Sequence, residues 1–165
     1  MAQRACDELA IMNLLARLAR AQDDLDLAAY KRCFADRVLL TAAAAVPDWS
    51  PKEIPVEELA EMIFATISRY DAGHHMICNP IIDVDGDEAS CLADFHAVAT
   101  LIEDGQTASA FAGGRYVVRL RRQGGGWVIF ERSAQVRYRG GDLTLAARAA
   151  ARGEPRAARA AASAS

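Results

Sequence analysis

Histidine is the side chain whose charge changes closest to neutral pH, and this chain of 165 residues holds three: His74, His75 and His96. His75 opens the run Met76-Ile77-Cys78-Asn79-Pro80-Ile81-Ile82, which leads into Val84-Asp85-Gly86-Asp87. Asp-Gly between apolar segments predicts a two-residue hairpin turn, because a type I′ turn needs positive φ at both central residues. His75 therefore begins a strand, with His74 in solvent just before it. Alternation places His75, Ile77, Asn79 and Ile81 on one face, and Met76, Cys78, Ile82 and Val84 on the other. Pairing Val84 with Asp87 then sets His75 opposite His96, Ile77 opposite Asp94 and Asn79 opposite Leu92. One face would gather two imidazoles, an amide and a carboxylate, groups that move protons. A slip of one residue would send His96 to the other face.

Those residues need a frame. Ile11, Leu14, Leu15, Leu18 and Ala19 follow the spacing of one helix face, which predicts a helix from Asp7, as its cap, to Gln22. It ends at Asp23-Asp24-Leu25-Asp26. Carboxylates at a helix C-terminus oppose its dipole, so Asp23 lies where helix energetics alone would not put it, unless these acids serve the start of the next helix. A short second helix follows, capped by Asp24 or Asp26, and then a first strand over Val38 to Ala42. Pro47, Pro51 and Pro55 make Ala43 to Pro55 a loop or flap carrying Trp49. Pro55 suits the first turn of a third helix, Val56 to Tyr70, whose buried face is Leu59, Met62, Ile63, Ile67 and Tyr70. Four strands follow at about 75–84, 88–103, 109–123 and 127–139, with Gly113-Gly114 predicting a bulge or sharp bend. Helices first and an antiparallel meander afterwards define an α+β fold.

At 52% hydrophobic residues, the chain can bury a core without disulfides or a metal. The four cysteines lack metal-ligand spacing and read as reduced core residues of a cytoplasmic protein. No apolar run approaches the ~20 residues of a membrane span, and the N-terminus lacks the apolar core of a signal peptide. Of the net charge of −3, residues 146–165 contribute +3, leaving −6 on residues 1–145. An acidic domain without a basic stripe argues against nucleic acid as partner. Two segments are expected: a folded domain over 1–145, and an Ala/Arg-rich tail over 146–165 without an apolar stripe, helical in part, its last dozen residues frayed or disordered in preference to an arm on a neighbouring subunit. The charge run Arg119, Arg121 and Arg122 reads as a solvated strand face or a subunit contact rather than an anion site.

Ala21-Gln22-Asp23-Asp24-Leu25-Asp26, Phe34-Ala35-Asp36, His75 with Asn79 four residues on, Val84-Asp85-Gly86-Asp87, Gly114-Arg115-Tyr116 and Gly126-Trp127-Val128-Ile129 occur in that order. In this the chain resembles the SnoaL-like branch of the nuclear-transport-factor-2-like superfamily, over roughly residues 5–140. The resemblance implies a cone-shaped α+β barrel, a strongly bent antiparallel sheet wrapped by three N-terminal helices around one apolar pocket. Within that branch the chain looks most like the hexachlorocyclohexane dehydrochlorinase, scytalone dehydratase and bile acid 7α-dehydratase group. That likeness implies His75 as general base and Asp23 as its orienting partner.

A carboxylate that accepts one ring N–H fixes the imidazole's tautomer and raises its basicity. Such a pair can take a carbon-bound proton while hydroxide or halide leaves the neighbouring carbon, and needs no metal or organic cofactor. His96 resembles the second histidine of scytalone dehydratase; Leu18 stands where bile acid dehydratase carries a functional tyrosine. Asn79, His96, Trp49, Tyr70, Arg115 and Arg132 are the substrate-binding candidates, and the pattern leaves open which arginine faces inward. The expected activity is that of a small-molecule lyase or isomerase acting on an apolar cyclic or polyketide-like substrate. The alternative is a non-catalytic ligand-binding cone, or a partner resembling an oxygenase β subunit, in which Asp23 and His75 need not touch. The resemblance also implies a homo-oligomer, a trimer before a dimer.

Overall fold

A computed structural model describes residues 2–43 and 49–153. The elements in chain order are α1 (Ala2–Asp23), α2 (Leu27–Lys31), β1 (Phe34–Ala42), β2 (Lys52–Pro55), α3 (Val56–Ile67), β3 (Ala72–Asp85), β4 (Glu88–Glu103), β5 (Gln106–Gln123), β6 (Gly126–Gly141) and α4 (Leu145–Arg152). The strands form one curved, unclosed sheet in the order β2-β1-β6-β5-β4-β3. The four-strand meander is antiparallel, as the alternating segments and glycine turns dictate. The sheet as a whole is mixed, since β1 joins β6 in parallel.

The apolar stripe of α1 buries Ile11, Leu14, Leu15 and Leu18 in the core, together with Tyr30, Val38, Cys91, Val118, Leu120 and Ile129. Burying each such side chain is worth about 1.5–3 kcal/mol, which seats α1 on the sheet. The helix starts five residues before Asp7. That residue is no cap: it is buried and accepts from Arg122 at 2.6 Å and from Trp127 Nε1 at 3.3 Å. Arg122 thus leaves the expected solvated run, its guanidinium lying 4.5 Å from the Trp127 ring centre. Asp26 caps α2 by accepting the Ala29 N–H at 2.8 Å. Pro55 is the N-cap of α3, which starts at Val56 as expected and ends at Ile67 rather than Tyr70; Pro55 also ends an edge strand, β2, that the proline-rich loop was not expected to contain. Pro47 lies outside the described residues.

One late turn and three breaks in strand pairing set which side chains face inward. The β3–β4 turn centres on Gly86-Asp87, between paired Asp85 and Glu88, and Gly86 has φ +60°. This is one residue later than the Asp85-Gly86 turn expected. A bulge at Asn79-Pro80, with Asn79 at φ +52°, then shifts the register again. His75 pairs with Ala97, and Met76 with His96. In β6 a second bulge falls at Phe130, between the pairs Arg119–Glu131 and Leu120–Ile129. The third is the break at Gly113/Gly114, where glycine is needed: a Cβ on Gly114 would stand 1.9 Å from the Gln135 carbonyl oxygen.

The beginning of the tail also differs from expectation. In α4, Leu145 and Ala149 are buried against Leu101, Tyr70 and Ala108, an apolar face one helical turn long. Arg148 pairs with Glu103 and Asp142, and Arg152 with Asp71 and Glu103. All four cysteines are free thiols; Cys33 and Cys91 are buried, whereas Cys6 and Cys78 are exposed rather than in the core. No helix among the described residues is long and apolar enough to cross a membrane.

Candidate active site

A cavity of about 570 Å³ opens between α3, the inner sheet face and the α4 end of the chain. Its wall is apolar over most of its area, with Leu59, Met62, Ile63, Phe95, Ala134 and Val136 among its lining. That volume suits a ligand of one to a few rings. Gln22, Asp23, His75 and Arg132 are polar side chains in the same wall.

Asp23 is the last residue of α1 and His75 the fourth of β3, so packing of α1 across the sheet brings together groups 52 residues apart. The His75 ring Nδ1 lies 2.8 Å from Asp23 Oδ1. The His75 backbone N–H donates to the same carboxylate, at 2.9 Å to Oδ1 and 3.2 Å to Oδ2. An ionised carboxylate only accepts. Nδ1 therefore carries the proton, and Nε2 keeps the lone pair. The two side chains are 16% and 18% exposed, dry enough for the contact to count. Burial pushes the His75 pKa below its usual value; Asp23 opposes that shift, while the charge of Arg132 and the neighbouring His74 reinforce it. At neutral pH the imidazole is thus an unprotonated base. His74 is exposed, as expected, yet its Nδ1 reaches Asp23 Oδ2 at 3.2 Å.

Arg132 is 5% exposed. Its Nη1 donates to the Tyr30 hydroxyl at 2.9 Å, and its guanidinium lies 4.5 Å from the Tyr116 ring centre. Tyr116 in turn stacks on Phe95 at 4.5 Å. A guanidinium stays charged in a protein, and no ion pair with a carboxylate holds this one among the described residues. Its inward aim comes from the Phe130 bulge. Without the extra residue, the alternation that buries Trp127 and Ile129 would turn Arg132 outward.

The other candidates separate clearly. Tyr70 lines the cavity, and burial raises its hydroxyl pKa. Arg115 points away, 45% exposed and 3.7 Å from Asp94. Asn79 also lies on the outer face and donates to Asp94 Oδ2 at 3.0 Å. His96 is on that face too, 3.0 Å from the Tyr138 hydroxyl. The expected grouping of His75 with His96 and Asp94 therefore fails, because the late turn and the Asn79-Pro80 bulge shift the register. Trp49 is no cavity wall; its indole donates to the Leu40 carbonyl at 2.9 Å. Sequence reasoning missed Gln22, although it adjoins Asp23 on the inward stripe of α1, and missed Tyr116 and Phe95. Among the described residues no group of three or more His, Cys, Asp or Glu side chains is arranged to hold a metal.

A bent, helix-covered sheet with an acid and an imidazole joined in the wall of an apolar cavity makes an α+β cone. The SnoaL-like domain family matches residues 3–133, and the chain belongs to that family, within the nuclear-transport-factor-2-like superfamily. No characterised protein matches it in sequence. In structure it is similar to Kfla4162 of Kribbella flavida, with a TM-score of 0.77 and 21% identity over 87% of this chain and 99% of that one. It is also similar to a scytalone dehydratase-like protein of Novosphingobium aromaticivorans, with a TM-score of 0.72 and 14% identity over 85% and 91%. A third similar structure is the type 3 hexachlorocyclohexane dehydrochlorinase LinA of Novosphingobium barchaimii, with a TM-score of 0.66 and 16% identity over 85% and 92%. At these identities the likeness is one of fold.

Proposed function

We propose that this protein is a lyase or isomerase that removes a carbon-bound proton from an apolar cyclic or polyketide-like substrate, with His75 as general base and Asp23 as its orienting partner. The observation that carries the reading is the 2.8 Å contact between the two inside the cavity wall. Nε2 of His75 takes the proton, and the electron pair of the C–H bond becomes a C=C bond. Hydroxide or halide leaves the neighbouring carbon with its own electron pair, and in the dehydration case the imidazolium returns its proton to the departing hydroxide. Asp23 remains ionised and holds the imidazolium. Arg132 faces the negative charge that develops on the substrate, and a preorganised cation there is worth about 10²–10³ in rate. The step needs no further reagent.

The test is a panel of hydroxylated and halogenated cyclic compounds, followed for product and for uptake of solvent deuterium. Turnover that His75→Ala lowers by about 10²-fold or more is expected. No turnover and no exchange with any compound, or turnover that His75→Ala leaves intact, would overturn the assignment.

We also propose a homo-oligomer, a trimer before a dimer, joined through the outer sheet face. Met76, Ile81 and Val117 are exposed large apolar residues on that face. Light scattering is expected to give three times the chain mass of 17.8 kDa; a single-chain mass refutes it. Four free thiols suit a reducing compartment, and the cytoplasm is the proposed location.

A further inference from the structure

Buried polar side-chain atoms almost always have a hydrogen-bond partner, and an exception calls for a reason. Among the described residues the exception is Gln22 Nε2, enclosed and without a partner. Gln22 is 4% exposed and lies in the last turn of α1, immediately before Asp23. It borders the cavity that Asp23, His75 and Arg132 also border. Its neighbours on the buried side of the helix, Leu18, Ala19 and Ala21, are apolar. A leucine or methionine would serve folding better, because an unpaired buried amide is a cost that apolar replacement removes. The amide is explained by something that enters the cavity.

We propose that Gln22 is a substrate-binding residue whose amide holds a carbonyl or hydroxyl oxygen of the ligand, so that the substrate is an oxygenated ring rather than a halogenated hydrocarbon. The inference rests on the proton-abstraction reading and narrows it. The last torsion of glutamine is soft, and a half turn exchanges its nitrogen and oxygen, so the NH₂ can meet a ligand without moving the helix. A neutral donor suits a neutral acceptor. Carbonyl and hydroxyl oxygens accept well, whereas carbon-bound halogens accept poorly. In a ketone the consequence is larger. As His75 takes the proton from the carbon beside the carbonyl, the C–H electron pair forms the C=C bond of an enolate. The carbonyl π pair moves onto oxygen, which then accepts more strongly in the transition state than in the ground state. Returning the proton from His75 to carbon restores the ketone.

The experiment compares 1-tetralone with tetralin, two bicyclic probes that differ in one carbonyl, by calorimetric titration of the full-length protein. Titrations use wild type, His75→Ala, Gln22→Leu and Gln22→Met, with melting temperatures alongside. The ketone-to-hydrocarbon affinity ratio is expected to be about tenfold higher in wild type and His75→Ala than in either Gln22 variant, the worth of one hydrogen bond. Both Gln22 variants are expected to melt at or above the wild-type temperature. A ratio that survives in either folded Gln22 variant overturns the assignment, as does failure of both probes to bind wild type. A lower melting point in both variants with the ratio intact makes the amide structural and overturns it too. The titrations read binding without turnover. An intact Gln22 effect with no turnover of any substrate would therefore overturn the lyase reading alone.

Discussion

Asp23→Asn tests the site most directly, since it keeps the shape of the side chain and removes its charge. Asp23 accepts from both the ring and the backbone N–H of His75, within 3.2 Å. An asparagine oxygen can still receive the ring N–H, so the imidazole is expected to stay in place. What disappears, on the proposed mechanism, is compensation for the imidazolium formed during turnover, in a spot where His75 is 16% exposed and Arg132 already supplies a positive charge. Both partners are well under a third exposed, so solvent screening discounts the interaction little. Leaving one member of a buried ion pair without the other costs about 3–5 kcal/mol, which converts to about 10²–10⁴ in rate. The assay is the rate of elimination, or of deuterium uptake, on the best compound of the panel, beside a histidine NMR titration. With three histidines in the chain, each resonance can be assigned by single substitution. The charge of Asp23 holds the His75 pKa up against burial, so the variant's value should fall further. An Asp23→Asn rate within about threefold of wild type, or a His75 pKa that rises, would refute the argument.

On the proposed mechanism the active form has His75 neutral, and burial lowers its pKa from the usual ~6.5; the rate should therefore hold through neutrality and decline only below that range, as a pH–rate profile would show. Stability should follow the same sign. With the folded-state value below the unfolded one, the contribution is complete above ~6.5 and is lost as pH falls toward the folded value, seen as a falling melting temperature in acid. Arg132→Met, which replaces a buried cation lacking an acidic partner, is expected to leave the melting temperature unchanged or higher while reducing turnover by about 10²–10³; thermal melts and kinetics on one preparation check both. Gly114→Ala forces a Cβ to 1.9 Å from the Gln135 carbonyl oxygen, and the overpacking should lower the melting temperature by roughly 5–10 °C.

The fold was legible because it rests on periodicities. The 3.6-residue stripe of α1 and the alternation in β3 to β6 follow from what must be buried, and the glycine turns delimit the strands. The Asp23–His75 contact was legible through resemblance. Spacing alone gave Asp23 an equally good reason to exist, as one of several acids before the next helix. The orientations were not legible. Alternation projects faces correctly only while every residue of a strand pairs with one neighbour, and the bulges at Asn79-Pro80 and Phe130 each insert a residue that breaks the count. Thus Asn79 and His96, placed beside His75 by counting, lie outside, while Arg132 lies inside. Neither bulge carries a glycine to mark it; only Gly113-Gly114 does. The inward face of α4 was missed because a Leu and an Ala four residues apart make a stripe too short to stand out in an alanine-rich tail.

The position of Asp23 as the last residue of α1 has a mechanical side. A helix C-terminus carries partial negative charge, and the carboxylate adds to it, so in the resting protein this corner concentrates negative potential beside a neutral ring. On the proposed mechanism, capture of a proton by His75 turns the same 2.8 Å contact, already charge-assisted by the ionised carboxylate, into an ion pair that also answers the helix dipole, and the attraction of the second charge adds to the bond. Under the proposed function the clasp between the first helix and the sheet would tighten while the substrate is committed and slacken when the proton departs. Amide hydrogen exchange at the end of α1 should be slower with a bound intermediate analogue than in the free protein, a breathing motion timed by the chemistry itself.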